Sequence, residues 1–171
     1  MKSARNTLVT LAALVISTGL LPYAHAQGNS SPSPVYIERQ KVEAMFAVPC
    51  FPPGFTGQRQ GCSIPIPDFF ATESYKVRVS RHYVPGPVEF HKLDTDIVYV
   101  TGGEATLVVG GTGINMKQMP KDANELKGTD LKGGTAYQLR KGDMMIVPSG
   151  IPHWYKAITS APFLFVEVKV R

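Results

Sequence analysis

The side chains best suited to chemistry fall in two short segments. The first is Glu89-Phe90-His91-Lys92-Leu93-Asp94-Thr95-Asp96. Glu89 and His91 are two residues apart, so on a β-strand they point to the same face. Four residues of turn then bring Asp96 onto the next antiparallel strand, near both. The second segment is Gly142-Asp143-Met144-Met145-Ile146-Val147-Pro148-Ser149-Gly150-Ile151-Pro152-His153. There a turn, a buried strand and a rigid Pro/Gly turn deliver one histidine. Imidazoles and carboxylates gathered in this way are the donor types of mixed N/O metal sites. A further histidine, His82, belongs to neither segment and reads as an ordinary, partly exposed side chain.

Elements that position these residues are legible from Tyr75 onward, where side chains alternate with period two. Tyr75–His82, Val88–His91, Asp96–Val100 and Glu104–Val109 read as strands, and so do Tyr137–Leu139, Met144–Val147, Trp154–Ala157 and Phe163–Val170. Pro85-Gly86-Pro87, Gly102-Gly103 and Gly110-Gly111 read as the turns between them. Thr112–Gly134 is polar with little periodicity and reads as a long loop, a lid or an edge. Regular, close turn signals favour an all-β sandwich or barrel over a helical fold. Tyr36–Val48 has helical spacing and is stopped by Pro49. Cys50–Asp68, dense in Pro and Gly, reads as an irregular arm.

The chain has 171 residues, 18 Lys+Arg against 13 Asp+Glu, and a formal charge of +5. Its first 26 residues look like a cleaved signal peptide. Lys2 and Arg5 precede an apolar run from Leu8 to Leu21, and Ala24-His25-Ala26 offers small residues for cleavage after Ala26. The run is about 14 residues, short of the roughly 20 that span a bilayer. Removing this leader takes Lys2 and Arg5 with it, leaving +3 (16 basic against 13 acidic residues). No dense basic run with interleaved aromatics follows, so nucleic acid is not an expected partner. Cys50 and Cys62 sit in an exported, Pro/Gly-rich segment, which suggests a disulfide closing Phe51–Gly61 and contributing about 3 kcal/mol. Two separate buried thiols are the alternative. The organisation expected is a leader (1–26), an arm with a short helix and a Cys-bridged loop (27–70), and one barrel domain (71–171).

The two segments resemble the paired motifs of the cupin superfamily. The second motif runs from Gly142 through Pro148 and Gly150 to His153, departing only at Ala157, where Asn is usual. The first matches in spacing as Glu89-x-His91, four residues, Asp96, six residues, Gly103. It departs in identity, with Glu89 in place of the first His and Asp96 in place of Glu. The likeness to small, exported, single-domain bacterial cupins extends to Gly110-Gly111 and Gly133-Gly134. It implies one antiparallel jelly-roll barrel (a double-stranded β-helix) with an N-terminal arm and short helix. It also implies a metal held by Glu89, His91, Asp96 and His153. Two imidazoles suit Fe, Mn, Zn or Ni and disfavour Ca and Mg. The alternative for His91, Glu89 and Asp96 is a strand histidine and solvated turn carboxylates.

By the same resemblance the expected function is a metal-dependent enzyme acting on a small molecule, by oxidation or isomerisation of an organic acid or phenolic compound. Its expected location is the periplasm or the secreted fraction, free of the membrane after cleavage. The rival is a small-molecule-binding module that performs no reaction; a structural cupin with a vestigial metal site is a third possibility. Arg81, Tyr99 and Trp154 are candidates to line the pocket. Arg78 and Arg81 fall on opposite strand faces, so at most one points inward. The arm, Val35–Ile66, is the feature that would support a homodimer.

Overall fold

Alternating strands with one apolar face require a partner surface for that face, and the chain provides it by rolling its sheet up. The computed structural model describes residues 34–51, 53–54, 56, 61–65, 72 and 74–171, the side chains of 62–65 excepted. The leader, Gln27–Ser33 and the Cys62 side chain lie outside these, so the signal peptide and the Cys50–Cys62 bridge stay expectations. A helix α1 (Arg39–Ala47) precedes β1 (Gly61–Pro65), β2 (Tyr75–His82), β3 (Val88–His91) and β4 (Thr95–Val109). Then come β5 (Thr112–Ile114), β6 (Lys117–Met119), β7 (Asp122–Gly128), β8 (Asp130–Lys132) and β9 (Thr135–Arg140). Two strands close the chain, β10 (Met144–Val147) and β11 (His153–Val170). Strands β1-β2-β11-β3-β7-β6 lie side by side, β4 joins β11 to β9 and β10, and β5 pairs with β8. The pairings among the described residues are antiparallel.

Two long strands organise the barrel. β4 and β11 pair along their whole lengths, from His153 opposite Val109 to Val170 opposite Thr95. At about 3.3 Å per residue a straight β11 would hold His153 and Lys169 about 50 Å apart. Yet both side chains reach Asp96, at 3.4 and 2.7 Å. The strand therefore folds over midway. Its register slips repeatedly between Tyr155 and Phe165. Opposite that stretch Gly103 has φ +69°, and a Cβ there would collide with the carbonyl oxygens of Ser160 and Pro162. Gly102-Gly103 is thus a bend inside one strand, not a turn between two, and Trp154–Ala157 and Phe163–Val170 are parts of one strand. The first correction has a plain cause: a glycine that lets backbones approach closely has the same local signature as a turn glycine. The second follows from register slips across a stretch that holds Pro162.

Two further expectations change. Thr112–Gly134 is not a loop but contains β5 to β8. Three-residue strands are too short to show a period, and β7 is recognisable only by its pairing with β3, Glu125 opposite His91. Within the arm, Gly61–Pro65 is an edge strand on β2, with Cys62 opposite Arg81; its proline sits at the strand end, where a lost donor costs little. The helix forms where expected and ends before Pro49. Arg81 fastens it, donating to the carbonyls of Phe46, at 2.7 Å, and Val48. Among the described residues no helix is long and apolar enough to cross a membrane.

The apolar core sits toward one end of the barrel interior. Val98, Val100, Ala105, Leu107, Leu139, Val147, Tyr155, Phe163 and Phe165 form it, and Val88, Val108 and Leu131 form a smaller cluster with Trp154. Elsewhere the interior is polar: Ser80, His91, Asp96, His153, Glu167 and Lys169 are all buried.

Candidate metal centre

β3 presents Glu89 and His91 on one face, and Glu89 lies directly across from His153, the first residue of β11. The turn that delivers His153 needs Gly150, at φ +79°. Its N–H donates to the His91 carbonyl at 2.8 Å, so the turn carrying one imidazole is bonded to the strand carrying the other. Nδ1–H of His153 donates to the Ile151 carbonyl at 3.2 Å. A carbonyl only accepts, so this bond sets the tautomer and leaves Nε2 aimed into the cluster.

All four residues assigned to the metal from the sequence come together. Donor atoms of Glu89, His91 and His153 lie within 4.8 Å of one another. Asp96 Oδ2 is 3.3 Å from His91 Nε2 and 3.4 Å from His153 Nε2. A residue the sequence reading passed over joins them. Lys169, opposite Asp96 on β11, places Nζ 2.7 Å from Asp96 Oδ1 and 2.8 Å from His91 Nε2. Lys169 is only 5% exposed, and its Nζ is also 3.5 Å from Glu167 Oε1.

Electrostatics of the cluster follow from these pairings. Burial opposes ionisation of Glu89, but Lys127, whose Nζ is 3.1 Å away, and then His153, Lys169 and His91 hold its carboxyl down at about 2. Burial opposes ionisation of Asp96 too, yet the hydrogen bond from His153, the His91 imidazole 3.3 Å away and the Lys169 charge push it well below the usual carboxylate range. Burial disfavours a charged His153, but its bond to Asp96 and the charges of Glu89 and Asp96 raise it above 6.5. Carboxylates of Glu89, Asp96, Glu125 and Glu167 face the cations Arg78, Lys127 and Lys169. Two imidazoles and two carboxylates converging on one spot are the donor set of a divalent transition ion.

The centre borders a cavity of about 360 Å³, whose lining includes Arg78, His82, Glu89, Lys127, Tyr155 and Glu167. His82 is thus part of the cavity wall, packed edge-on against Tyr155 and Phe165 at ring distances of 5.0 and 5.2 Å. Burial, first of all, lowers its pKa below 6.5, against the pull of Glu89 and Glu167. Burial also raises the Tyr155 phenol well above 10.0, helped by Glu167 and Glu89, so it keeps its proton.

None of the three residues proposed for the pocket from sequence lines this cavity. On β2, residues 78, 80 and 82 face inward by period two, so Arg81 faces α1 and Arg78 takes the interior place. Tyr99 faces outward and is 46% exposed. Trp154 packs on the outer cluster and donates Nε1–H to the Gly86 carbonyl at 2.8 Å. Glu167 and Lys169 had one signal available: they alternate with Phe163 and Phe165 and so share a strand face with them.

The family pattern of the cupins matches residues 86–171, half of the chain. The chain belongs to the cupin family, and its strands form the antiparallel β-barrel that this family implies. A comparison with curated proteins finds no match. Among solved structures it is similar to TT1209 from Thermus thermophilus, with TM-score 0.47 and 17% identity over 67% of this chain and 86% of that one. It is also similar to a nucleoside dehydratase from Streptomyces, with TM-score 0.45 and 10% identity over 67% and 72%. A third is the DMSP lyase DddQ from Ruegeria pomeroyi, with TM-score 0.46 and 19% identity over 66% and 47%.

Proposed function

We propose that this cupin binds one divalent transition ion (Fe, Mn, Zn or Ni) through Glu89, His91, Asp96 and His153 and acts on a small molecule held in the adjoining cavity. The reaction class we assign is oxidation or isomerisation. The observation that carries this reading is the convergence of Glu89, His91 and His153 donor atoms within 4.8 Å on a site bordering a cavity of about 360 Å³. The ion would supply an open position that polarises a bound substrate. The protein's own part is positional: Ile151 orients His153, and Tyr155 in the cavity wall offers a retained phenol proton. Arg78 is paired with Glu167, and Lys127 with Glu89 and Glu125. Neither cation is left for an anion, which favours an uncharged or phenolic substrate over a carboxylic acid.

Elemental analysis of natively purified protein tests the metal. Stoichiometric transition metal is expected in the wild type, and loss of it in Glu89→Gln/His153→Ala. A metal-free wild type whose melting ignores both substitutions sinks the reading. Turnover assays with phenolic and neutral hydroxy compounds then test the reaction.

A second reading, a binding module that leaves its ligand unchanged, is favoured by Lys169, which places a cation in the centre without any metal. A compound that raises the melting temperature in the presence of chelator and is recovered unaltered would support it.

We further propose that Met1–Ala26 is removed on export and that the mature protein works in the periplasm or outside the cell, with Cys50 and Cys62 bridged. An intact mass starting at Gln27 and short by two hydrogens is expected; a retained Met1 contradicts the export. Homodimerisation is supported by Tyr99, Met144 and Ile146, exposed on one face of β4 and β10. Size-exclusion chromatography checks it, a monomer at all concentrations being the contrary result.

A further inference from the structure

The position of Lys169 has a consequence for any ion that enters the centre. Its Nζ is 2.8 Å from His91 Nε2 and 2.7 Å from Asp96 Oδ1. The Nε2 lone pair is the one His91 would give to a metal, and an imidazole nitrogen has only one. Lysine amine and metal therefore cannot share His91. Asp96 is constrained in the same way: one oxygen faces both imidazoles, while the other is committed to the lysine. Two positively charged species would also repel each other across a few ångströms of protein interior.

Resting on the metal reading above, we propose that Lys169 is a built-in competitor for the metal: its amino group holds His91 Nε2 and Asp96 Oδ1 and must swing away before an ion can take both. Glu167 gives it a place to go. That carboxylate lies two residues back on the same face of β11, with Oε1 3.5 Å from Nζ. Rotation about the side-chain bonds carries Nζ from Asp96 toward Glu167 without breaking the β-ladder. The lysine keeps a carboxylate partner in both positions, so a buried cation is never left alone. The lysine thereby lowers metal affinity while keeping the buried charges paired, and only an ion that binds imidazole strongly displaces it.

The test compares full-length mature wild type with Lys169→Met and Lys169→Gln, using Zn²⁺ alone in competition with a chromophoric chelator and Co²⁺ alone followed by its visible absorption. Both variants are expected to bind Zn²⁺ roughly tenfold more tightly or better, the effect of no longer breaking a charge-assisted hydrogen bond. Metal-free Lys169→Met should melt below the wild type and gain more from Zn²⁺. Tighter binding by both variants than by a metal-binding wild type supports the proposal. Unchanged or weaker affinity in whichever variants fold overturns it and leaves the metal site standing. Absence of binding in all three proteins overturns the metal reading and this inference together.

Discussion

Two ends of one strand face divide the barrel interior. On β11, Phe163 and Phe165 point inward and are 0% and 2% exposed; Glu167 and Lys169 continue the same alternation and are 4% and 5% exposed. Across from them on β4, Val98 and Val100 give way to Asp96. Burial is equal, but its physics is opposite. The phenylalanines need only neighbours, since apolar contact is non-directional. Each charge needs a named partner at a named atom: Arg78 for Glu167, Asp96 for Lys169. The apolar end is held by contact alone, and the charged end by directional pairs.

The apolar half is tested by Phe163→Ala, expected to cost about 3–5 kcal/mol in chemical denaturation through transfer and cavity effects. Metal content per folded molecule should be unchanged, because the rings Phe163 packs on are those of Tyr155 and Phe165 rather than the two imidazoles. The charged half is broken by Asp96→Ala, which leaves Lys169 and His153 short of their carboxylate partner and should cost about 3 kcal/mol in metal-free buffer. Replacing the pair as Asp96→Leu/Lys169→Met should recover most of that loss. A double variant as unstable as the single one would mean that shape, not charge balance, governs this end. Outside both halves, Trp154→Phe removes the bond to the Gly86 carbonyl and should cost about 1 kcal/mol.

The smallest effect concerns the boundary between the halves. His82 titrates below 6.5 in the folded protein because burial disfavours its charged form. The unfolded chain therefore binds this proton first as pH drops, and stability falls from about pH 6.5 toward the folded value. The melting temperature of wild type should decline over that window more than that of His82→Phe. Parallel declines would show that His82 is not the group responsible.

Legibility from sequence differed between the halves for the same reason. Glu89 and His91 share a face by period two, and Pro148-x-Gly150-x-Pro152 marks a rigid turn before His153; both signals are local. The last strand misleads. Leu164, Val166, Val168 and Val170 form an unbroken aliphatic face, which simple patterning would turn inward, and Glu167 and Lys169 would then face water. The opposite occurs because the partners that make those charges buriable, Arg78 and Asp96, come from β2 and β4, far away in the chain. A local pattern contains no information about them.

What the amino-acid sequence determines by itself is the supply of donors and the faces they share: an all-β barrel, two imidazoles, two carboxylates, and the turns that aim them. Tertiary structure decides what else enters the centre. Only the fold-over of β4 and β11 at Gly103 brings Lys169 back to the strand end where His153 begins, and only pairing with β2 selects Arg78 over Arg81. Both outcomes depend on contacts between residues distant in sequence, where backbone closeness and charge compensation, rather than local propensity, set the energy.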